Sequence, residues 1–291
     1  MIIESRFSDD ISVHSITVDG VKSKLLAAGK GPPLVLLHGD GDTPASWQWV
    51  FTALAREFRV LAPSLPGHAD TDKRQENFTI AHMTSFMCSY LDGLELDRCI
   101  IVGNSLGGLL AIRLALAQPE RFRGLVVVDS SGLGREIHPM LALMSMPWIG
   151  ELAIAVARSP LGPGQRAVAR MMQMFARFDR APADWLAEQR RIARVPGFLE
   201  ASLAAVRAGV GPWGQTELVL EELDRLTMPT MVIWGANDLV VPAVHAVRAR
   251  KCLRNGQLAL IPQCGHLPHV ERPSEFLSAV MPFAQRAAAG A

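Results

Sequence analysis

The chain has 291 residues, 49% of them hydrophobic and 20% charged, with 29 Lys and Arg against 28 Asp and Glu. That length suits one large α/β domain with an insertion, or two small domains, around a sizeable core. The near-zero net charge of +1 lacks the basic footprint of a nucleic-acid or anionic-membrane partner, and no apolar run approaches the roughly 18 residues of a membrane span.

The opening MIIESRFSDDISVHSITVDG has no basic segment followed by a long apolar one, so no signal peptide is expected. Four scattered cysteines (Cys88, Cys99, Cys252, Cys264) lack metal-ligand spacing, which points to reduced thiols in a cytoplasmic protein. ISVHSITVDG and VKSKLLAAG alternate in polarity and hinge on Asp19-Gly20, which predicts an antiparallel hairpin at a sheet edge.

A βα rhythm follows. Strands are predicted at PLVLLH (33–38), FRVLAP (58–63), CIIVGN (99–104), LVVVDS (125–130), TMVIWG (230–235) and QLALIP (257–262), and helices over 46–57, 79–95, 106–118, 242–252 and 273–288. Near-continuous apolar strands of this kind are covered on both faces, as in a parallel sheet flanked by helices. The rhythm breaks once, between Ser130 and Thr230, where MLALMSMPWIGELAIAVA, AVARMMQMFARF and DWLAEQRRIA read as helices. The expected fold class is therefore α/β, a mostly parallel central sheet flanked by helices with an inserted helical lid. The core takes 1–133 and 226–291 and the lid 134–225.

Directly after the first parallel strand, LLHGDGDTPASW places Asp40 and Asp42 between glycines. The D-x-D spacing resembles the start of a calcium loop, but only neutral Ser46 and Gln48 follow and no Glu closes the pattern, so no metal is expected. The stretch reads as a loop of backbone donors. Its carboxylates are expected to point away from any pocket and to cap the turn at 43–46, because an anion beside a forming oxyanion opposes catalysis.

VGNSLGG carries G-x-S-x-G at Gly103, Ser105 and Gly107, between an apolar strand and an amphipathic helix. In that setting Ser105 sits on a tight strand-to-helix turn, with free backbone N–H groups and the positive end of a helix dipole nearby. A nucleophilic serine needs a base, and the base an orienting acid. His266 in QCGHLPHVERP and Asp238 in WGANDLVVP both follow strands, on the edge where parallel sheets bind ligands. His269 competes with His266, and Asp129 stands in reserve for Asp238. His38 and His68 read as loop braces, and Ser130 and Ser131 as turn residues.

Strand-HG, GNSLGG, GANDLVVP and CGHLPHVERP together resemble the α/β-hydrolase fold superfamily, and within it the esterase and meta-cleavage-product (carbon–carbon bond) hydrolase branch. The resemblance implies Ser105 as nucleophile, His266 as general base and Asp238 as its orienting acid. The backbone N–H groups of Leu106 and of Asp40 or Gly41 would form the oxyanion hole, without a cofactor. Ser at 105 departs from the branches with an Asp nucleophile. The single tyrosine, Tyr90, falls in a helix before the nucleophile, so the lid lacks the paired tyrosines of epoxide opening.

Carbon–carbon hydrolases usually carry Trp after the catalytic His, where this chain has Leu267, and they hold a substrate carboxylate with a lid arginine, a part open to Arg190 or Arg191. Asn104 matches that branch. The Met-rich lid suggests an apolar substrate, with Asn104, Met144, Trp148 and Arg190 as candidate contacts. The expected function is cleavage of a hydrophobic acyl or aromatic ester through an acyl-enzyme. Carbon–carbon hydrolysis is the first alternative, and a non-catalytic ligand receptor the second. A small-molecule substrate is the expected partner, with no nucleic acid and no membrane, and self-association is left open.

Overall fold

The computed structural model describes residues 11–68, 71 and 78–290, so half of the stretch read for a signal peptide lies outside the described residues. β1 (Ser12–Val18) and β2 (Val21–Ala28) form the expected hairpin. Asp19 and Gly20 turn it with φ of +49° and +76°, the left-handed backbone that a two-residue hairpin loop requires. β3 (Pro33–Leu37), α1 (Gln48–Ala55), β4 (Arg59–Pro63), α2 (Ile80–Gly93), β5 (Cys99–Asn104), α3 (Leu106–Ala117) and β6 (Phe122–Val128) continue the alternation.

Between β6 and the next strand of the large sheet lie five helices: α4 (Pro139–Ser145), α5 (Ile149–Ala157), α6 (Gly162–Met174), α7 (Ala183–Ile192) and α8 (Phe198–Gly209). A two-residue hairpin follows, β7 (Val210–Gly211) with β8 (Gly214–Gln215). The main sheet then resumes with β9 (Thr230–Gly235), α9 (Val244–Cys252), β10 (Gly256–Ile261), α10 (Pro268–Glu271) and α11 (Pro273–Ala289).

The eight-stranded sheet runs β1-β2-β4-β3-β5-β6-β9-β10, parallel from β4 to β10 and antiparallel at β1 and β2. Alternate residues of one strand enter opposite cores. Val35, Leu37 and Ile101 join the cluster built with α2 and α3, whereas Leu34, Leu36, Ile100 and Val102 join the one built with α1 and α11. Two buried faces explain why these strands read as unbroken apolar runs. The edge strand β10 is more exposed.

Two local expectations change. The helix read over 46–57 begins as a tight turn at Pro44–Trp47, capped by the Thr43 hydroxyl, which accepts from Ala45 N. The single apolar run from Met140 to Ala157 is two helices bent by 102° around Trp148, whose φ is +70°. Among the described residues no single helix is long and apolar enough to cross a membrane, although the bent pair α4–α5 is so by length and composition together. Helix α8 was not anticipated, and its apolar face buries Phe198, Ala201, Leu203 and Ala205.

Candidate active site

Ser105 occupies the β5–α3 junction with φ +54° and ψ −117°, a strained backbone that persists because its surroundings over-determine it. Its N–H donates to Val128 O at 3.0 Å, and its carbonyl accepts from the N–H groups of Gly108, Leu109 and Ser131. The flanking glycines answer to crowding. A Cβ on Gly103 would overlap the Gly107 carbonyl, and one on Gly107 would meet the carbonyls of Leu37 and, at 2.5 Å, His38. The turn thereby projects the Ser105 side chain at the carboxyl edge of the sheet, beside the first N–H groups of α3.

On the same edge, His266 Nδ1 and Asp238 Oδ2 are 2.7 Å apart, and both residues are buried. Asp238 is itself fixed: its Oδ1 accepts from Val240 N at 2.7 Å and Val241 N at 3.1 Å. The His266 backbone N–H donates to Met174 O of α6, and the Asn104 amide donates to both Val128 O and His266 O. With Nδ1–H committed to Asp238, Nε2 is left as the basic nitrogen. Ser105, Leu106 and His266 line one cavity.

The other histidines are occupied elsewhere. His269 stacks on Trp47 with ring centroids 4.1 Å apart, and burial, reinforced by His266, pushes its pKa down to about 3. His38 contacts Gly39 O through Nδ1 and accepts Leu65 N–H at Nε2, bracing the loop that follows β3.

The carboxylates of that loop are not the turn caps expected of them. Asp40 and Asp42 both border the cavity, and neither caps the turn at 43–46. Asp40 Oδ1 lies 2.8 Å from His68 Nε2, and Oδ2 accepts from Ser202 Oγ of α8 at 2.9 Å. Both ring nitrogens of His68 face oxygen atoms, Asp40 Oδ1 and Pro66 O. Burial opposes ionisation of Asp40, but the hydrogen bond and charge of His68, with Arg170 and Ser202, bring its pKa below the ordinary 3.8. The charge is thus aimed at His68 and Ser202. This explains how an acid is tolerated in the cavity that Ser105 lines.

Asp42 lacks such a partner. Its carboxylate accepts from Thr43 N at 2.9 Å, and burial raises its pKa to about 7 against the charges of Arg170 and Arg166. Between about pH 4 and pH 7 the folded protein therefore holds a proton that the unfolded chain has released, so this group makes stability fall as pH rises through that window. Asp42→Asn is expected to stabilise the protein more at pH 8 than at pH 5, read as the shift in urea midpoint. An equal shift at both pH values would show that the carboxyl ionises normally.

Of the proposed oxyanion donors, Leu106 and Asp40 border the cavity, whereas Gly41 turns under α6 with φ +66° and a Cβ there would meet Arg170 Nη1 at 2.7 Å. Gly39 is tight against the elbow, its would-be Cβ 3.1 Å from Ser105 Cβ. Of the candidate substrate contacts, Asn104 borders the cavity, but its amide spans two carbonyls, so it braces the site instead of offering free donors. The other three are corrected. Met144 does not reach the cavity, which Leu141, one turn earlier on α4, does. Trp148 is 84% exposed at the α4–α5 bend. Arg190 lies on the outer face of α7.

The arginine that borders the cavity is Arg170 of α6, which donates to Asp40 O at 3.1 Å and leaves its buried Nε unpaired. Arg166, one turn before it, contacts Gln189, and burial then the charge of Arg170 lower its pKa to about 9. The Arg pair at i, i+4 in RAVARMMQM was the available signal for this face.

A model of the alpha/beta hydrolase family matches residues 34–280. The chain is 30% identical over 285 residues to the 2-hydroxymuconate semialdehyde hydrolase of Pseudomonas sp. (strain CF600), covering 96% of this chain and 95% of that protein. It superposes on a meta-cleavage product hydrolase from Pseudomonas fluorescens IP01 with a TM-score of 0.77 at 24% identity, covering 96% of this chain and 100% of that one. A thermophilic esterase from Thermogutta terrifontis gives a TM-score of 0.78 at 22% identity, covering 95% and 99%.

Proposed function

The chain belongs to the alpha/beta hydrolase family, and from that premise we propose that it is a serine hydrolase cleaving esters of hydrophobic acyl or aromatic substrates. The observation that carries the reading is the buried His266–Asp238 pair at 2.7 Å, whose His266 lines one cavity with a serine held in a strained strand-to-helix turn. Ser105 Oγ attacks the ester carbonyl while His266 Nε2 takes its proton, and the imidazolium is held by Asp238. The same proton passes to the leaving alcohol, and water repeats the sequence on the acyl-enzyme. The N–H groups of Leu106 and Asp40 receive the oxyanion, each such donor contributing about 3 kcal/mol to the transition state. Residues 134–225 serve as a lid on a core of 1–133 and 226–291.

An apolar acyl or aryl group is supported by the cavity wall of Ile80, Leu109, Leu141, Met174, Val206 and Val240. Carbon–carbon hydrolysis of a dienoate is the second reading, favoured by Arg170 at the cavity, whose guanidinium suits a substrate carboxylate. The ester reading stands first because Arg170 already serves the Asp40 carbonyl and sits among two carboxyl groups, and Leu267 follows His266. Turnover of p-nitrophenyl butyrate and of 2-hydroxymuconate semialdehyde separates the two. Ester cleavage well above dienoate cleavage is expected. The reverse order, with the dienoate KM rising at least tenfold in Arg170→Met, would install the second reading, and turnover of neither would overturn both.

A further inference from the structure

We propose that Asp129 is a positioning residue of the same relay, a carboxylic acid whose hydroxyl donates a hydrogen bond to Asp238 and thereby sets how strongly Asp238 holds His266. The proposal rests on the serine hydrolase reading for its consequences, but its premise is geometric. Asp129 directly follows β6, fully buried, with φ +43°, a backbone that residues with a side chain rarely adopt. Oδ1 accepts from Gly235 N at 2.9 Å, whereas the buried Oδ2 receives no donor. An oxygen atom of Asp129, one of Asp238 and a ring nitrogen of His266 all lie within 4.8 Å of one another.

Two carboxyl groups this close do not both ionise in a buried site. The donors decide which keeps the proton. Asp238 accepts from Val240 N, Val241 N and His266 Nδ1, whereas Asp129 accepts from Gly235 N alone. Three donors stabilise the anion at Asp238, so the proton belongs on the unpartnered Oδ2 of Asp129. Placed there, it satisfies that oxygen and adds a fourth donor to Asp238. Burial, then the charge of Asp238 and that of Glu271 on α10, hold the Asp129 carboxyl well above the ordinary carboxylate range. The other titratable groups facing the pair are His266, Cys264 in the loop after β10, and His245 of α9 on the Asp238 side.

When Asp129 ionises at alkaline pH, Asp238 loses a donor and gains a like-charged neighbour, which pushes its carboxylate off the line that orients His266. The relay also contains a spare acid, since Asp129 is within reach of His266 if Asp238 is removed.

Three measurements test this. Ester turnover corrected for hydroxide is expected to fall at alkaline pH in the wild type, and Asp129→Asn, which donates at every pH, is expected to remove that fall. Asp238→Ala is expected to keep residual kcat that drops at least another tenfold in Asp238→Ala with Asp129→Asn, with circular dichroism confirming the folded state. The infrared spectrum is expected to contain the C=O stretch of a buried protonated acid that Asp129→Asn deletes. An unchanged alkaline profile, a double variant no worse than Asp238→Ala, or absence of the infrared band in an active wild type would overturn the proposal. A wild type that shows the band but cleaves neither ester nor dienoate would sink the hydrolase reading and leave the protonation state of Asp129 standing.

Discussion

Ser105→Ala is expected to lower kcat for ester cleavage by on the order of 10⁵-fold while leaving KM and the melting temperature close to wild type. The size of the loss follows from the absence of a substitute nucleophile at the elbow: Ser131 borders the same cavity, but it lacks the strained turn and its N–H is spent on the Ser105 carbonyl. Folding should tolerate the change, because the hydrogen bonds that hold the turn use the Ser105 backbone and not its hydroxyl. A phosphonate inhibitor followed by mass spectrometry checks the assignment independently of turnover. The adduct should map to Ser105 in the wild type and vanish in the variant, and an adduct that persists would move the nucleophile elsewhere.

The second large effect concerns the backbone of the elbow. Gly107→Ala forces a methyl group against two carbonyl oxygens of the β3 end, Leu37 O and His38 O, neither of which can retreat without breaking the sheet or the donor loop beside it. Overpacking of this kind costs about 3 kcal/mol, a drop of several degrees in melting temperature for a chain of this size. The same shove displaces the start of α3 from the loop containing Asp40, so activity should fall at least a hundredfold even where the protein remains folded. Calorimetry together with ester turnover reads both. A variant with wild-type stability would mean that the elbow and β3 are less tightly packed than these distances imply.

The contrast between what was legible and what was not has a physical basis. β3, β5, β6 and β9 each serve two cores, so their apolar runs and the mostly parallel sheet they imply were accessible from local sequence. Ser105, Asp238 and His266 were likewise accessible, because glycines mark the elbow and strand ends mark the ligand edge. The insertion obeys other rules. Which face of α4 meets the cavity depends on how it packs on α8 and β7, and that choice put Leu141 inside instead of Met144. Arg190 and Arg170 look equivalent in sequence, yet Arg170 lies over Gly41 whereas Arg190 faces outward on α7. The pairing of Asp40 with His68 and Ser202 spans 28 and 162 residues, a separation that no local pattern encodes.

Three separate pieces of chain meet at Asp40: His68 from the loop after β4, Arg170 from α6 and Ser202 from α8. The peptide proposed to receive the oxyanion is thus a keystone, held in shape by the very helices that roof the cavity. Lifting α6 or α8 far enough to admit a bulky substrate would unload that keystone and let its N–H swing out of register. An open enzyme would in that sense be disarmed, and re-seating the helices over a captured substrate would restore a donor able to receive charge. Entry and reaction would then alternate as in an airlock, where the inner door operates only once the outer one has shut.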